Sequence, residues 1–147
     1  KGLHRTYKDK LVLPLDVVVS RSVDGRPECV KIDKVSPGEI ILDVGPQTIL
    51  LYSKIIKEAQ TLLWNGPLGH FEQKQFSHGT FALSRLLAAR SGVRAFAMAG
   101  GGETLEVIRR ENFLSHFDHV STGGGAMLMV LGGLELPALT ALNRNIA

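Results

Sequence analysis

From residue 39 onward, apolar runs of strand length alternate with longer stretches in which apolar residues recur at helical spacing. EIILDV at 39–44 predicts a strand, Gly45-Pro46 a turn with proline at the first helical position, and 47–60 a helix with Ile49, Tyr52, Ile55, Ile56 and Ala59 on one face. The unit then repeats. A short strand at 61–64 opens into Asn65-Gly66-Pro67-Leu68-Gly69, and 76–91 reads as a helix ended by Gly92. A strand at 94–98 leads to a helix at 103–110, acidic in its first turn and basic in its last, as the helix dipole favours. The stretch around Val120 gives a short fourth strand, and 124–131 a helix stopped by Gly132-Gly133. Upstream, LVLPLDVVVS at 11–20 predicts a valine-rich strand with Pro14 near its start, and 28–32 returns from an Asp24-Gly25 turn as the second strand of a hairpin.

Alternating strands and helices imply an α/β layer fold with a mostly parallel sheet, in which ligands sit outside the carboxyl ends of the strands. Three loops follow strands and so fall at that edge: 65–72, 100–104 and 121–125. Two of them are glycine triplets. In AFAMAGGGETLEVIRR an apolar strand breaks into Gly100-Gly101-Gly102 and then an acidic helix start, and in HVSTGGGA the pattern recurs at Gly123-Gly124-Gly125. A helix N-terminus presents unpaired N–H groups and partial positive charge, and glycines let an anion reach them, so each turn is a candidate phosphate cradle. No G-x-x-x-x-G-K-[ST] is present, and Leu105 and Leu128 stand where G-x-G-x-x-G needs its last glycine.

Composition narrows the chemistry. The 147 residues suit one domain, a size that buries roughly 68–70% of its unfolded surface. Hydrophobic residues make up 44% with no run approaching a membrane span, and one cysteine precludes an internal disulfide, so a soluble, cytoplasmic protein without a membrane partner is expected. The net charge of +3 is dispersed, which disfavours nucleic acid and suits small anionic ligands. Cys29 and Trp64 are read as packed residues, His70 and His78 as solvated loop histidines, and Ser121 has no base partner. His116 and His119 lack a third ligand at suitable spacing for zinc. The polar opening stretch 1–10 begins without a cap, as the tail of something already under way, and the chain is expected to be incomplete.

WNGPLGHFE at 64–72, F-x-x-G-T at 76–80, AGGGET at 99–104, STGGGA at 121–126 and LELPAL at 134–139, with LDVGPQT at 42–48, resemble the phosphoglycerate kinase family in the same order and spacing. The resemblance covers only the C-terminal, nucleotide-binding part. It implies an incomplete, parallel-sheet three-layer (Rossmann-like) nucleotide-binding domain over 1–147, without the N-terminal 3-phosphoglycerate-binding domain and without lysines that contact the transferring phosphate. By the same resemblance, Asn65, Gly66 and Pro67 lie along the nucleotide phosphates and ribose, and Glu72 hydrogen-bonds the ribose hydroxyls. Gly101 and Gly102 approach the phosphates and Thr104 caps the helix. Thr122, Gly123, Gly124 and Gly125 match the catalytic turn whose N–H groups face the phosphoryl group in flight. Glu103 stands where the family usually has an aspartate that holds the magnesium (Mg2+) of the nucleotide. Its extra methylene calls for a backbone adjustment or a bridging water, because magnesium demands near-octahedral geometry at about 2.0–2.1 Å.

The implied activity of the full enzyme is the glycolytic transfer of a phosphoryl group between 1,3-bisphosphoglycerate and ADP, giving 3-phosphoglycerate and ATP, by a monomer that closes two lobes. The present chain alone is expected to be inactive. The alternative is a non-catalytic nucleotide-binding or interaction module, and a chain lacking early strands is also expected to be able to pair with a second copy through an exposed sheet edge.

Overall fold

The structure is a computed structural model describing residues 5–144, so part of the polar opening stretch (1–4) lies outside the described residues. The chain divides into two compact units, Lys1–Tyr52 with Leu68–Thr80, and Ser53–Pro67 with Phe81–Ala147. No helix among the described residues is long and apolar enough to cross a membrane.

In the first unit the predicted hairpin forms: β1 (Asp16–Ser20) pairs antiparallel with β2 (Glu28–Lys31). Strand β1 starts just past Pro14, whose missing N–H keeps it out of the ladder. Val17 and Val19 point to the buried face. The strand predicted at 39–44, β3 (Ile40–Val44), does not extend a parallel run; it pairs antiparallel with β1, giving the order β2-β1-β3. Alternation marks a strand but does not name its partner. Cys29, expected to be packed, is exposed on β2, with its Sγ 3.7 Å from Asp16 Oδ2. Partial burial and then the Asp16 carboxylate push its thiol up.

Asp16 ties β1 to helix α1 (Pro46–Glu58). Its Oδ2 accepts the Gln47 N–H at 3.0 Å and its Oδ1 the Thr48 N–H at 2.7 Å, two of the orphan donors at a helix start. The buried Thr48 hydroxyl lies 2.7 Å from Asp16 Oδ1 and accepts the Asp16 N–H at 3.0 Å. Gly45 has no side chain because a Cβ there would run into the Asp16 carboxyl.

The second unit holds the predicted parallel sheet. Strands β4 (Thr61–Asn65), β5 (Phe96–Gly100) and β6 (His119–Ser121) lie in the order β4-β5-β6, all parallel. Helices α2 (His78–Arg90), whose first three residues belong to the first unit, α3 (Gly102–Arg110), α4 (Gly124–Leu131) and α5 (Pro137–Arg144) follow in the chain. Helix α2 starts two residues later than its pattern suggests, because residues Lys74–Phe76 form a separate tight turn. Ala97 and Ala99 on β5 and Val107 and Ile108 on α3 are fully buried, and each large aliphatic side chain so buried contributes roughly 1.5–3 kcal/mol. Small alanines on the central strand suit a sheet covered closely by helices.

Burial opposes ionisation of Asp16, but the hydrogen bonds from Thr48 and Gln47 outweigh it and hold the carboxyl below its ordinary value of 3.8. The folded form therefore favours the carboxylate, and that contribution is complete above the ordinary value and lost as pH falls through the lower folded value. Asp16→Ala is expected to cost about 2 kcal/mol in urea unfolding at neutral pH. Asp16→Asn is expected to flatten the loss of stability on acidification, read as urea midpoints from neutral pH down through the aspartate range.

Candidate functional site

The parallel register of the second unit sets the site. Asn65 pairs with Gly100, and Gly100 with Ser121, so three chains leave the sheet at one level and open directly into the three glycine-bearing loops. Of the three loops expected at one carboxyl edge, 65–72, 100–104 and 121–125, the strands align the starts at Asn65, Gly100 and Ser121, while residues 68–72 of the first loop belong to the first unit.

The first loop turns at Gly66, whose φ of +97° favours glycine. Both of its peptide groups are held. The Trp64 indole N–H donates to the Gly66 carbonyl at 2.8 Å, and the Gly66 N–H donates to Thr104 Oγ1 at 2.7 Å. Trp64 is buried, as expected, and its ring lies 6.2 Å from that of Phe117. Thr104 departs from its expected role. No side chain caps α3 at Gly101, and the fully buried Thr104 hydroxyl instead reaches back to the first loop. It can do so because residue 104 sits on the buried face of α3, with Leu105, Val107 and Ile108. Nothing in the periodicity marks Thr104 or the Trp64 indole as loop supports; only the folded neighbourhood reveals them.

The two triplets contain glycines of two kinds. Gly101 has a φ of +97°, and a Cβ on Gly124 would lie 2.6 Å from the Gly101 Cα and N and 2.7 Å from Asn65 Oδ1. A Cβ on Gly100 would meet the end of Met127. Gly124 is thus needed for close backbone approach and Gly101 for its positive φ, while at Gly100 the obstacle is the flexible end of a side chain. Gly102 and Gly125 have no neighbour within 4 Å of an added Cβ, and Gly123 only an ordinary contact at 3.7 Å with Ala126. They are exposed and sit at the starts of α3 and α4, where N–H groups have no intrahelical acceptor. Open glycines at two helix starts leave backbone donors uncovered by side chains, an arrangement suited to an anion. Thr122 is exposed beside them.

Glu103 is exposed in the first turn of α3, one residue from Gly102. Its carboxylate complements the dipole, yet it would repel a bound phosphate unless a cation lay between. Among the described residues no cluster of three His, Cys, Asp or Glu side chains can hold a metal by itself. A single carboxylate nevertheless fits magnesium, which binds through one or two carboxylates together with substrate phosphates and water.

Glu72 belongs to the first unit. It is exposed, with Oε2 3.3 Å from His70 Nδ1, so His70 is its neighbour rather than a separate solvated group. The loop carrying both is tied down: the His70 N–H donates to the Leu42 carbonyl at 2.7 Å, and Leu68 and Gly69 donate to Thr80 Oγ1 at 3.1 Å each.

A family description, phosphoglycerate kinase, matches residues 1–134. A curated phosphoglycerate kinase of Chlorobaculum tepidum is 45% identical over 136 residues, covering 91% of this chain and 34% of the relative. The structure of phosphoglycerate kinase from Coxiella burnetii superposes with a TM-score of 0.86 at 38% identity, over 98% of this chain and 38% of that one. That of Pyrococcus horikoshii phosphoglycerate kinase superposes with a TM-score of 0.78 at 29% identity, over 97% and 35% respectively. The chain thus spans about a third of the length of the curated relative it matches.

The two kinds of glycine respond differently to a methyl group. Gly124→Ala must push the second and third loops apart and is expected to cost about 1–3 kcal/mol in urea unfolding. Gly125→Ala, in open space within a helix, is expected to leave stability unchanged within about 0.5 kcal/mol or raise it slightly. It is expected to weaken pyrophosphate binding, measured by calorimetry.

Proposed function

This chain belongs to the phosphoglycerate kinase family, and from that premise we propose that it is the nucleotide-binding part of a cytoplasmic, glycolytic phosphotransferase. The reaction proposed for the whole enzyme moves a phosphoryl group from the acyl phosphate of 1,3-bisphosphoglycerate to ADP. A terminal β-phosphate oxygen of ADP forms the new P–O bond as the bond to the carboxylate oxygen breaks, leaving 3-phosphoglycerate and ATP. The observation that carries the reading is the common level of Asn65, Gly100 and Ser121, with the open glycines Gly102, Gly123 and Gly125 in the loops beyond.

In this reading Asn65, Gly66 and Pro67 run along the nucleotide, and Gly101 and Gly102 admit its phosphates to the start of α3. Trp64 and Thr104 act behind them by holding Gly66. Thr122, Gly123, Gly124 and Gly125 present N–H groups to the group being transferred. Phosphoryl transfer needs in-line positioning and charge stabilisation rather than covalent help, and preset backbone dipoles supply both without reorganising. Glu72 accepts the ribose hydroxyls. Glu103 is the residue that would hold magnesium, which supplies neutralisation of the phosphate charge when bound. The supporting consideration is that an acidic side chain beside an anion cradle is electrostatically costly without a cation.

The chain on its own is proposed to bind nucleotide without turning it over. Self-association is proposed through strand β4, an edge strand of its described sheet with Leu63 44% exposed, and a rise in mass with concentration in light scattering is the expected sign. The deciding experiment is calorimetric titration with ADP, with and without magnesium, of the unaltered chain and of Glu103→Asp. Magnesium-dependent ADP binding by the unaltered chain is expected, with Glu103→Asp binding at least as tightly. Absence of ADP binding in both would overturn the reading.

A further inference from the structure

The proposed nucleotide contact at Glu72 depends on a loop, and the first unit contains two buried groups that have no role in phosphate binding but act on that loop. Asp43, on β3, is 1% exposed, and Thr80, in the first turn of α2, is likewise 1% exposed. Asp43 Oδ2 accepts the Gly79 N–H at 2.9 Å and Oδ1 accepts the Val44 N–H at 2.8 Å, so the carboxyl joins the end of β3 to the start of α2. The loop lies against the same carboxyl. A Cβ on Gly69 would stand 2.5 Å from Asp43 Oδ1 and 2.5 Å from the Phe76 carbonyl oxygen. Gly79 is equally close, its added Cβ lying 2.5 Å from Asp43 Oδ1. Thr80 Oγ1 receives two consecutive loop N–H groups, from Leu68 and Gly69, and the Leu42 carbonyl receives the next, from His70. Phe71 then turns into the core at 2% exposure, and the next residue, Glu72, is exposed, its carboxylate beside His70.

A helix cap alone needs much less. Serine, threonine or asparagine caps a helix at little desolvation cost, whereas burial pushes the Asp43 carboxyl up, against the Gly79 and Val44 N–H groups and nearby His78, which favour the carboxylate. A buried carboxyl flanked by two glycines, with every loop N–H from 68 to 70 assigned an acceptor, constrains position as well as stability.

We infer that Asp43 and Thr80 are positioning residues for the nucleotide: they fix the backbone of residues 68–72 so that the Glu72 carboxylate is presented to the ribose hydroxyls. This rests on the nucleotide reading above. Neither residue touches the ligand; both act through Glu72.

The test compares ADP with its dideoxy analogue, whose ribose lacks both hydroxyls, by calorimetry on the whole chain in the presence of magnesium. Asp43→Asn and Thr80→Ala are each expected to weaken ADP roughly fivefold to tenfold, as loss of hydrogen bonds that orient a charged contact would, while leaving the dideoxy analogue unchanged. Thr80→Ser, which keeps the hydroxyl, is expected to bind ADP as the unaltered chain does. In a Glu72→Gln background Asp43→Asn is expected to add no further loss, because both act on one contact. Equal weakening of both ligands, full additivity with Glu72→Gln, or no change in ADP affinity would each overturn the inference while leaving the nucleotide site standing. Failure of the unaltered chain to bind ADP would overturn the nucleotide reading and this inference with it. Should circular dichroism show Asp43→Asn unfolded, the Thr80→Ala and Thr80→Ser pair decides.

Discussion

Everything at the candidate site depends on how closely two backbones approach, those of Gly101 and Gly124. With a Cβ at Gly124 the second and third loops could not share one level beyond the sheet, and the φ of +97° at Gly101 favours glycine there. The parallel register brings the strands' ends into line, but the register alone stops at Asn65, Gly100 and Ser121. It is the missing side chain at Gly124 and the positive φ of Gly101 that carry the alignment past the sheet into the turns. The open glycines beside them then cost little to keep, since the neighbouring ones already fix the geometry.

Loops at this edge and in the first unit share a second device, a buried hydroxyl or carboxyl that takes the place of a backbone partner. Thr104 receives Gly66, Thr80 receives Leu68 and Gly69, Thr48 receives Leu15 and Asp16, and Asp16 receives Gln47 and Thr48. A loop that leaves a strand loses its ladder bonds, and a buried N–H without an acceptor costs on the order of 1–3 kcal/mol. A side-chain acceptor from a neighbouring strand or helix start removes that cost and at the same time selects one loop conformation. Each of these acceptors is nearly or fully buried, which shields the bonds from competition by water. Stability and precision at the candidate site therefore come from the same groups.

Periodicity and punctuation made most elements legible. The hairpin of β1 and β2, the helices from 46, 102 and 124, and the parallel run of β4, β5 and β6 all follow from alternation, helical spacing, and glycine or proline at the ends. The three site loops were legible because each follows an apolar strand and contains residues that tolerate close approach. Less legible was the partner of β3, which pairs antiparallel with β1, and the fate of Cys29, exposed on an edge strand. Helix α5 also carries no strong signal of its own beyond Pro137 at its first position.

The sequence by itself determined the family, the order of strands and helices, and the places where backbone donors are laid bare, because these are written in local spacing and in residue types whose conformational limits are intrinsic. Tertiary structure alone decided which glycines serve packing and which stay open. It also decided that Thr104 turns to Gly66 instead of capping its own helix, and that Asp43 and Thr80 stand behind the Glu72 loop. The physical reason is separation along the chain: Gly66 and Thr104 are 38 residues apart and Asp43 and Gly79 are 36 apart, and no local pattern encodes a contact made only when distant strands and helix starts meet.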